Sequence, residues 1–443
     1  MPFQPKTKEE LRKAIEKYCE NDDRSNGNIN DWDVNLITDM SDLFFCCFEN
    51  CNKKIHHFNQ SINNWNVSNV TNMSCMFCCC YVFSQPINNW NVSNVMDMSE
   101  MFRDCKEFNQ PINNWNVSKV EDMSEMFCGC EKFNQPLNNW NVSNVKHMSD
   151  MFSDCYDFNQ PLNNWNVSNV KHMNDMFSDC HDFNQPINNW NVSDVEDMNH
   201  MFFCCKKFNQ PINDWNVSNV TTMSYMFYGC KEFNQPLNNW NVSNVTNMRC
   251  VFYYCHQFNQ SINNWNVSNI INMSHMFAGC HVFNQPINDW NVSKVEDMSY
   301  MFYECKEFNQ PINNWNVSNV KNMSFMFFDC YKFNQPINNW NFSNIANMFC
   351  VFHNCVELNE THKEQFYMTN IEKRNKYAFN ELLYDMSIIK IYYMTKDKEF
   401  IMNNINNNQK NEIHCFIKNA TEDICNSCYL QMDCINNTCA LCS

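Results

Sequence analysis

Trp65, Trp90, Trp115 and each further tryptophan to Trp340 recur every 25 residues without a slip, so most of this chain is one unit repeated. A period of this length is the signature of stacked coils. Trp32 precedes Trp65 by 33 residues, because about eight extra residues sit around Cys47 to His57, and it completes the thirteen tryptophans of the chain. One unit reads Phe133-Asn-Gln-Pro-Leu-Asn-Asn-Trp140-Asn-Val-Ser-Asn-Val-Lys-His-Met148-Ser-Asp-Met151-Phe152-Ser-Asp-Cys155. Its apolar groups become interior only when coils above and below cover them, so stability should be roughly additive along the stack, with unusual units at both ends.

The array absorbs most of the 443 residues into a single elongated body. At the spacing of hydrogen-bonded strands, about 4.7 to 4.9 Å, thirteen coils would span roughly 60 Å. A formal charge of −17 disfavours nucleic acid and anionic membranes, which reward surplus Lys and Arg. Only Gly27, Gly129, Gly229 and Gly279 occur, so neither glycine-rich phosphate loop can be built. The turns are expected to fall to Asn, which tolerates the left-handed region and bonds its own backbone.

At the start, Leu11, Ala14, Ile15 and Tyr18 lie at helical spacing behind Thr7 and Glu10, a capping box. Residues 1–27 are therefore expected to form a capping helix, followed by a solenoid over 28–356. No export signal and no apolar run of about 18 residues is present, which predicts an intracellular, cytoplasmic protein, with association to a particle as the alternative. Asn66-Val-Ser68 and its copies are formally glycosylation sequons, read here as turn chemistry. The column Cys80, Cys105, Cys130 and onward to Cys355 is read as buried free thiols acting as small hydrophobes, and the total of 29 cysteines forbids complete pairing within one chain.

Within a coil, Ile87-Asn-Asn-Trp90-Asn-Val92-Ser-Asn-Val95 has the LxxLxLxx spacing of a leucine-rich-repeat strand, and Met98 to Cys105 has the spacing of a short helix or 3₁₀ turn. The repeating FNQPLNNWNVSNVxxMxxMFxxC unit resembles that of BspA-like leucine-rich-repeat proteins, over about residues 28 to 356. The resemblance implies a solenoid used for protein binding or adhesion, without catalytic residues to carry over.

Information about partners must sit where the copies differ. Two variable places three apart read Glu100 with Arg103, Glu125 with Cys128, Asp150 with Ser153 and Asp175 with Ser178 in the first half. In the second half they become His200 with Phe203, Tyr225 with Tyr228, Cys250 with Tyr253, His275 with Ala278, Tyr300 with Tyr303, and Phe325 with Phe328. One flank thus changes from acidic to aromatic. Phe203, Tyr225, Tyr228, Tyr253, Tyr300, Tyr303, Phe325 and Phe328 are candidate partner-binding residues. The competing reading packs them against one another between coils. The twelve histidines sit mostly at variable positions, with no recurring nucleophile beside them, so no enzyme is expected.

Residues 357–402 are expected to form a helical cap, with Phe379, Leu382, Leu383, Met386, Ile389 and Tyr393 on one face. Residues 403–443 read as a linker and cysteine-rich tail. There Cys425, Cys428, Cys439 and Cys442 form two CxxC knuckles suited to one structural zinc, with a disulfide-bonded tail as the rival. The composite expectation is a non-enzymatic protein-interaction scaffold with a protein partner. A surface or particle-associated adhesin, and an adaptor using a zinc-binding tail, are the alternatives.

Overall fold

The computed structural model describes residues 2–45, 55–348, 350–359 and 361–362. The chain divides into a unit spanning Met1–Asn370 and another spanning Ile371–Ser443. The predicted C-terminal helices and both CxxC knuckles lie outside the described residues.

The first unit opens with helix α1, Lys8–Asn21. Thr7 caps it, its hydroxyl accepting the Glu10 N–H at 3.2 Å. The Glu10 carboxylate reaches back to the Lys6 N–H at 2.8 Å, one residue earlier than a standard capping box. Leu11, Ala14, Ile15 and Tyr18 are buried, and Tyr18 meets Trp32 edge-on at 5.8 Å. Lys8 pairs with Asp39 at 3.1 Å, tying the helix to the first coil.

Thirteen coils follow, joined by parallel bridges from Asp39↔Asn72 through Asn72↔Asp97 to Asn322↔Asn347. The chain is therefore a repeat solenoid of the leucine-rich-repeat kind, but each coil contributes one bridge rather than a longer strand. The pairing also falls at Asp97, after the segment in which the sequence pattern places it. Tight turns consume the donors of Ile87 to Val95: the Trp90 N–H goes to Ile87 O at 3.2 Å and the Val95 N–H to Val92 O at 3.0 Å. The LxxLxLxx spacing still marks the inward side chains, since Ile87, Trp90, Val92 and Val95 are all buried.

Beyond the bridge, alternate donors divide between two duties. The N–H groups of Met101, Arg103 and Cys105 close turns onto residues three back, at 2.9 to 3.2 Å. Those of Met98, Glu100, Phe102 and Asp104 cross to the next coil's Asp122, Ser124, Met126 and Cys128 carbonyls, at 2.7 to 3.0 Å. The local bonds have 3₁₀ spacing, but no helix forms, because Glu100 (φ 54°) and Asp104 (φ 59°) are left-handed and make each bend a turn.

These two left-handed places recur in the array and are filled by Asp, Glu, Cys, His, Tyr and Phe, with Gly129, Gly229 and Gly279 at the second. Among the described residues Asn, expected there, stands only at Asn354. Its amide works instead. Asn91 Oδ1 accepts the Ser93 N–H at 3.2 Å, and Asn134 Oδ1 accepts the Asn159 N–H at 3.0 Å and Gln160 Nε2 at 2.9 Å. Asn thus closes turns and stitches coils through its side chain. A left-handed non-glycine residue costs roughly 1 kcal/mol, so Glu304→Gly, copying Gly279 one coil earlier, is expected to raise stability by about that amount in thermal unfolding. Unchanged or lowered stability would mean that the Glu304 side chain contributes more than its backbone costs.

The interior is built from columns of identical groups. Trp190 stacks on Trp165 at 6.4 Å and on Trp215 at 6.4 Å, the second pair within 1° of parallel. Its indole N–H donates to Leu162 O at 3.0 Å in the coil before. The cysteine column acts likewise: Cys105 Sγ donates to Phe77 O at 3.1 Å and Cys180 Sγ to Phe152 O at 3.0 Å. Complete burial pushes these thiols well above their ordinary range, so they serve as donors and packing groups rather than nucleophiles.

Candidate interaction surface

Because column-mates are nearly parallel, the displacement between them reports the local distance between coils. It is 6.4 Å at Trp190–Trp215 and 5.7 Å at Phe102–Phe127, but 4.6 Å at His200–Tyr225 and 4.5 Å at Phe203–Tyr228. Ring column-mates at the variable positions are therefore closer than those of the tryptophan and phenylalanine columns. These positions lie where hydrogen bonds between coils hold the backbone at strand spacing.

The acidic half is a ladder of carboxylates with one strong cation. Arg103 Nη1 reaches Glu100 at 3.0 Å and Glu125 at 2.6 Å. Asp150, next in the row, joins no ion pair among the described residues. Burial, and then the charges of Asp175 and Glu125, push its carboxyl up to about 7. Asp175 is raised by burial and opposed by His200, whose Nδ1 lies 3.7 Å away, while burial lowers His200.

The aromatic half is less open than the sequence suggests. Phe203, Tyr228, Tyr253 and Phe328 are no more than 9% exposed. They stack along the coils, Tyr228 on Tyr253 at 4.8 Å and Tyr303 on Phe328 at 5.2 Å. At strand spacing, planar rings on successive coils cover one another's faces, and only their edges remain. Tyr225, Tyr300, Tyr303 and Phe325 are half-buried and form the reachable part, with Tyr300 on Phe325 at 4.6 Å.

A third row belongs to this surface and was not among the sequence candidates: Asp104, Asp154, Asp179, Tyr254, Glu304 and Asp329 directly follow the second variable row. Its variation from copy to copy was the available signal. Asp329 accepts from Asn354 Nδ2 at 2.6 Å and is raised by burial. Elsewhere histidines stack on each other, His147 on His172 at 5.9 Å and His256 on His281 at 4.6 Å. Among the described residues, no group of three or more His, Cys, Asp or Glu is placed to hold a metal ion. No helix among them is long and apolar enough to cross a membrane.

Regular coils, parallel bridges and a repeated interior define a solenoid of tandem units, and comparison with known proteins gives its family. The model of the family described as "Mycoplasma protein of unknown function, DUF285" matches four times, over residues 13–127, 103–203, 179–290 and 272–383, and the chain belongs to that family. No curated protein matches it. Among solved structures, it is similar to a leucine-rich cell surface protein of Faecalibacterium prausnitzii, with 14% identity, 62% of this chain and 74% of that one covered, and a TM-score of 0.28. A leucine-rich-repeat protein of Leptospira interrogans gives 7% identity over 85% of this chain and 99% of its own, with a TM-score of 0.20.

Proposed function

We propose that this protein is a non-enzymatic interaction scaffold whose partner-binding surface is the bridge side of the solenoid. One observation carries the reading: the interior and the Asn-lined turns are held nearly constant in every coil, while the three adjoining rows beside the bridges change in character along the array, from acidic to aromatic. A spacer needs no such directional change along one face. The polarity of that face runs from Glu100, Glu125, Asp150 and Asp175 to Tyr225, Tyr300, Tyr303 and Phe325, which offers a partner a unique register along an otherwise periodic body.

The test is a crosslinked capture from native lysate with the full chain as bait, beside a variant carrying Tyr225→Ser, Tyr300→Ser, Tyr303→Ser and Phe325→Ser. The buried Phe203, Tyr228, Tyr253 and Phe328 stay untouched, so the variant keeps its stack. A protein held by the native chain and lost from the variant is the expected result. Equal capture by both baits would remove this face from the reading, and capture of nothing by either would favour a passive spacer.

A further inference from the structure

In the second coil the sequence runs Cys75-Met-Phe-Cys78-Cys79-Cys80, where the next coil has Glu100, Arg103, Asp104 and Cys105 in the corresponding places. Cys80 belongs to the buried column and faces the Phe44 and Ile55 carbonyls at 3.8 and 3.9 Å. The other three thiols stand in the three variable rows. Two turns overlap there: the Cys78 N–H closes on Cys75 O at 3.1 Å, and the Cys80 N–H on Phe77 O at 2.9 Å. Cys79 is left-handed, with φ 63°.

That backbone has a consequence for the side chains. Neighbouring residues of an extended chain point to opposite faces, but here Cys78 Sγ and Cys79 Sγ stand 3.7 Å apart. Two thiolates bound at about 2.3 Å to one metal stand about 3.8 Å apart at a tetrahedral angle and about 4.0 Å apart at a trigonal one, so the pair is within a few tenths of an ångström of the spacing that sharing one metal in a bent arrangement requires. Because no third ligand is preassembled around them among the described residues, an ion demanding four protein ligands fits poorly. Soft ions that favour thiolates, with monovalent copper the common one, suit the pair when a small exogenous ligand completes three-coordination, since a linear two-sulfur arrangement would need the sulfurs further apart. Cys78 is buried and Cys79 half-buried, so access is from the Cys79 side.

We infer that Cys78 and Cys79 form a vicinal dithiol site for a soft, thiophilic ion of the copper(I) class. Binding replaces two S–H protons by one monovalent ion: both thiols give their protons to solvent, two S–Cu bonds form, and no electron changes hands. Asp104, 3.9 Å from Cys79 Sγ, supplies a hydrogen-bond acceptor for the pair's unmetallated state.

The experiment uses copper(I) itself, kept under argon and competed against a chromophoric copper(I) chelator. The first protein is the full-length chain with Cys415, Cys425, Cys428, Cys434, Cys439 and Cys442 each changed to Ser, so that the tail cannot compete. One retained equivalent is expected, lost when Cys78→Ser and Cys79→Ser are added. Because that double variant could fail by misfolding, the tail-substituted chain with Cys78 and Cys79 intact is also alkylated with iodoacetamide with and without one equivalent of copper(I), and Cys79 is read by peptide mapping. Copper should slow alkylation of Cys79 by about tenfold or more, since a coordinated thiolate is no longer a free nucleophile. Retention of the copper equivalent by the double variant, or unchanged alkylation of Cys79, would overturn the assignment.

Discussion

Trp190→Ala is expected to cost about 3 to 5 kcal/mol, the range for removing a large aromatic from a packed core. The indole is 3% exposed, lies between Trp165 and Trp215, contacts the Phe177 ring at 6.2 Å, and donates to Leu162 O at 3.0 Å. The loss therefore combines a cavity, three ring contacts and a bond between coils. Leu162 O keeps the Trp165 N–H at 3.0 Å, so the carbonyl is not orphaned, and packing is the larger part. In a one-dimensional stack each coil touches only its neighbours, so a mid-array defect should break cooperativity as well as lower stability. Hydrogen exchange would show this as loss of protection centred on residues 162 to 215, with coils near Trp90 and Trp315 unchanged. Uniform loss along the whole chain would mean that the array unfolds as one unit and that the nearest-neighbour account is wrong. Trp190→Phe, which keeps a ring in the column, should recover more than half of the stability.

The interior was legible in the sequence because its cause is periodic: Trp, Met, Phe and Cys return at one interval, and only stacking can bury them all. The helix over α1 was legible for the same reason, its apolar groups falling on one face. The backbone between the columns was not. Pairing at Asp97 follows from which N–H groups the turns leave over, and that division leaves no mark in the spacing of apolar residues. Nor do the left-handed positions announce themselves. Propensity favours Gly or Asn there, yet Glu100, Tyr225, His275 and Phe325 occupy them because bonds to the next coil fix the turn whatever the side chain. Those same bonds set the strand spacing that turns a row of exposed aromatics into a stack. Copy-to-copy variation marked the surface correctly as a place of divergence, while the burial of Phe203 and Tyr228 depended on a distance between coils that sequence alone does not contain.

The acidic end of that surface makes stability depend on pH in a direction opposite to that of most paired carboxylates. Asp150 has its carboxyl raised from 3.8 to about 7 in the fold, first by burial and then by Asp175 and Glu125. The native state therefore binds this proton more tightly than the unfolded chain, and stability falls as pH rises from about 4 to about 7 and levels off above that. Below about 4 both states hold the proton and the penalty vanishes. Asp150→Asn keeps the shape, removes the charge, and places at a left-handed position a residue that accepts it readily. Discounted for partial exposure and solvent screening, the gain at pH 8 should be about 1 to 2 kcal/mol. It should hold above about pH 7 and shrink between about pH 7 and pH 4, as the folded protein takes up the proton that neutralises Asp150. Thermal unfolding of both proteins at each pH unit across that window measures the difference. A gain independent of pH would assign the effect to backbone preference, and no gain at pH 8 would mean that Asp150 is as well solvated in the fold as in the unfolded chain. Arg103, already shared by Glu100 and Glu125, limits how far the rest of the ladder can follow. A cationic partner docking beside Asp150 would take up the same unmet charge, so it should be held less tightly as pH falls through about 7, where the folded protein protonates Asp150, well above the pH near 4 at which Asp150→Asn stops mattering.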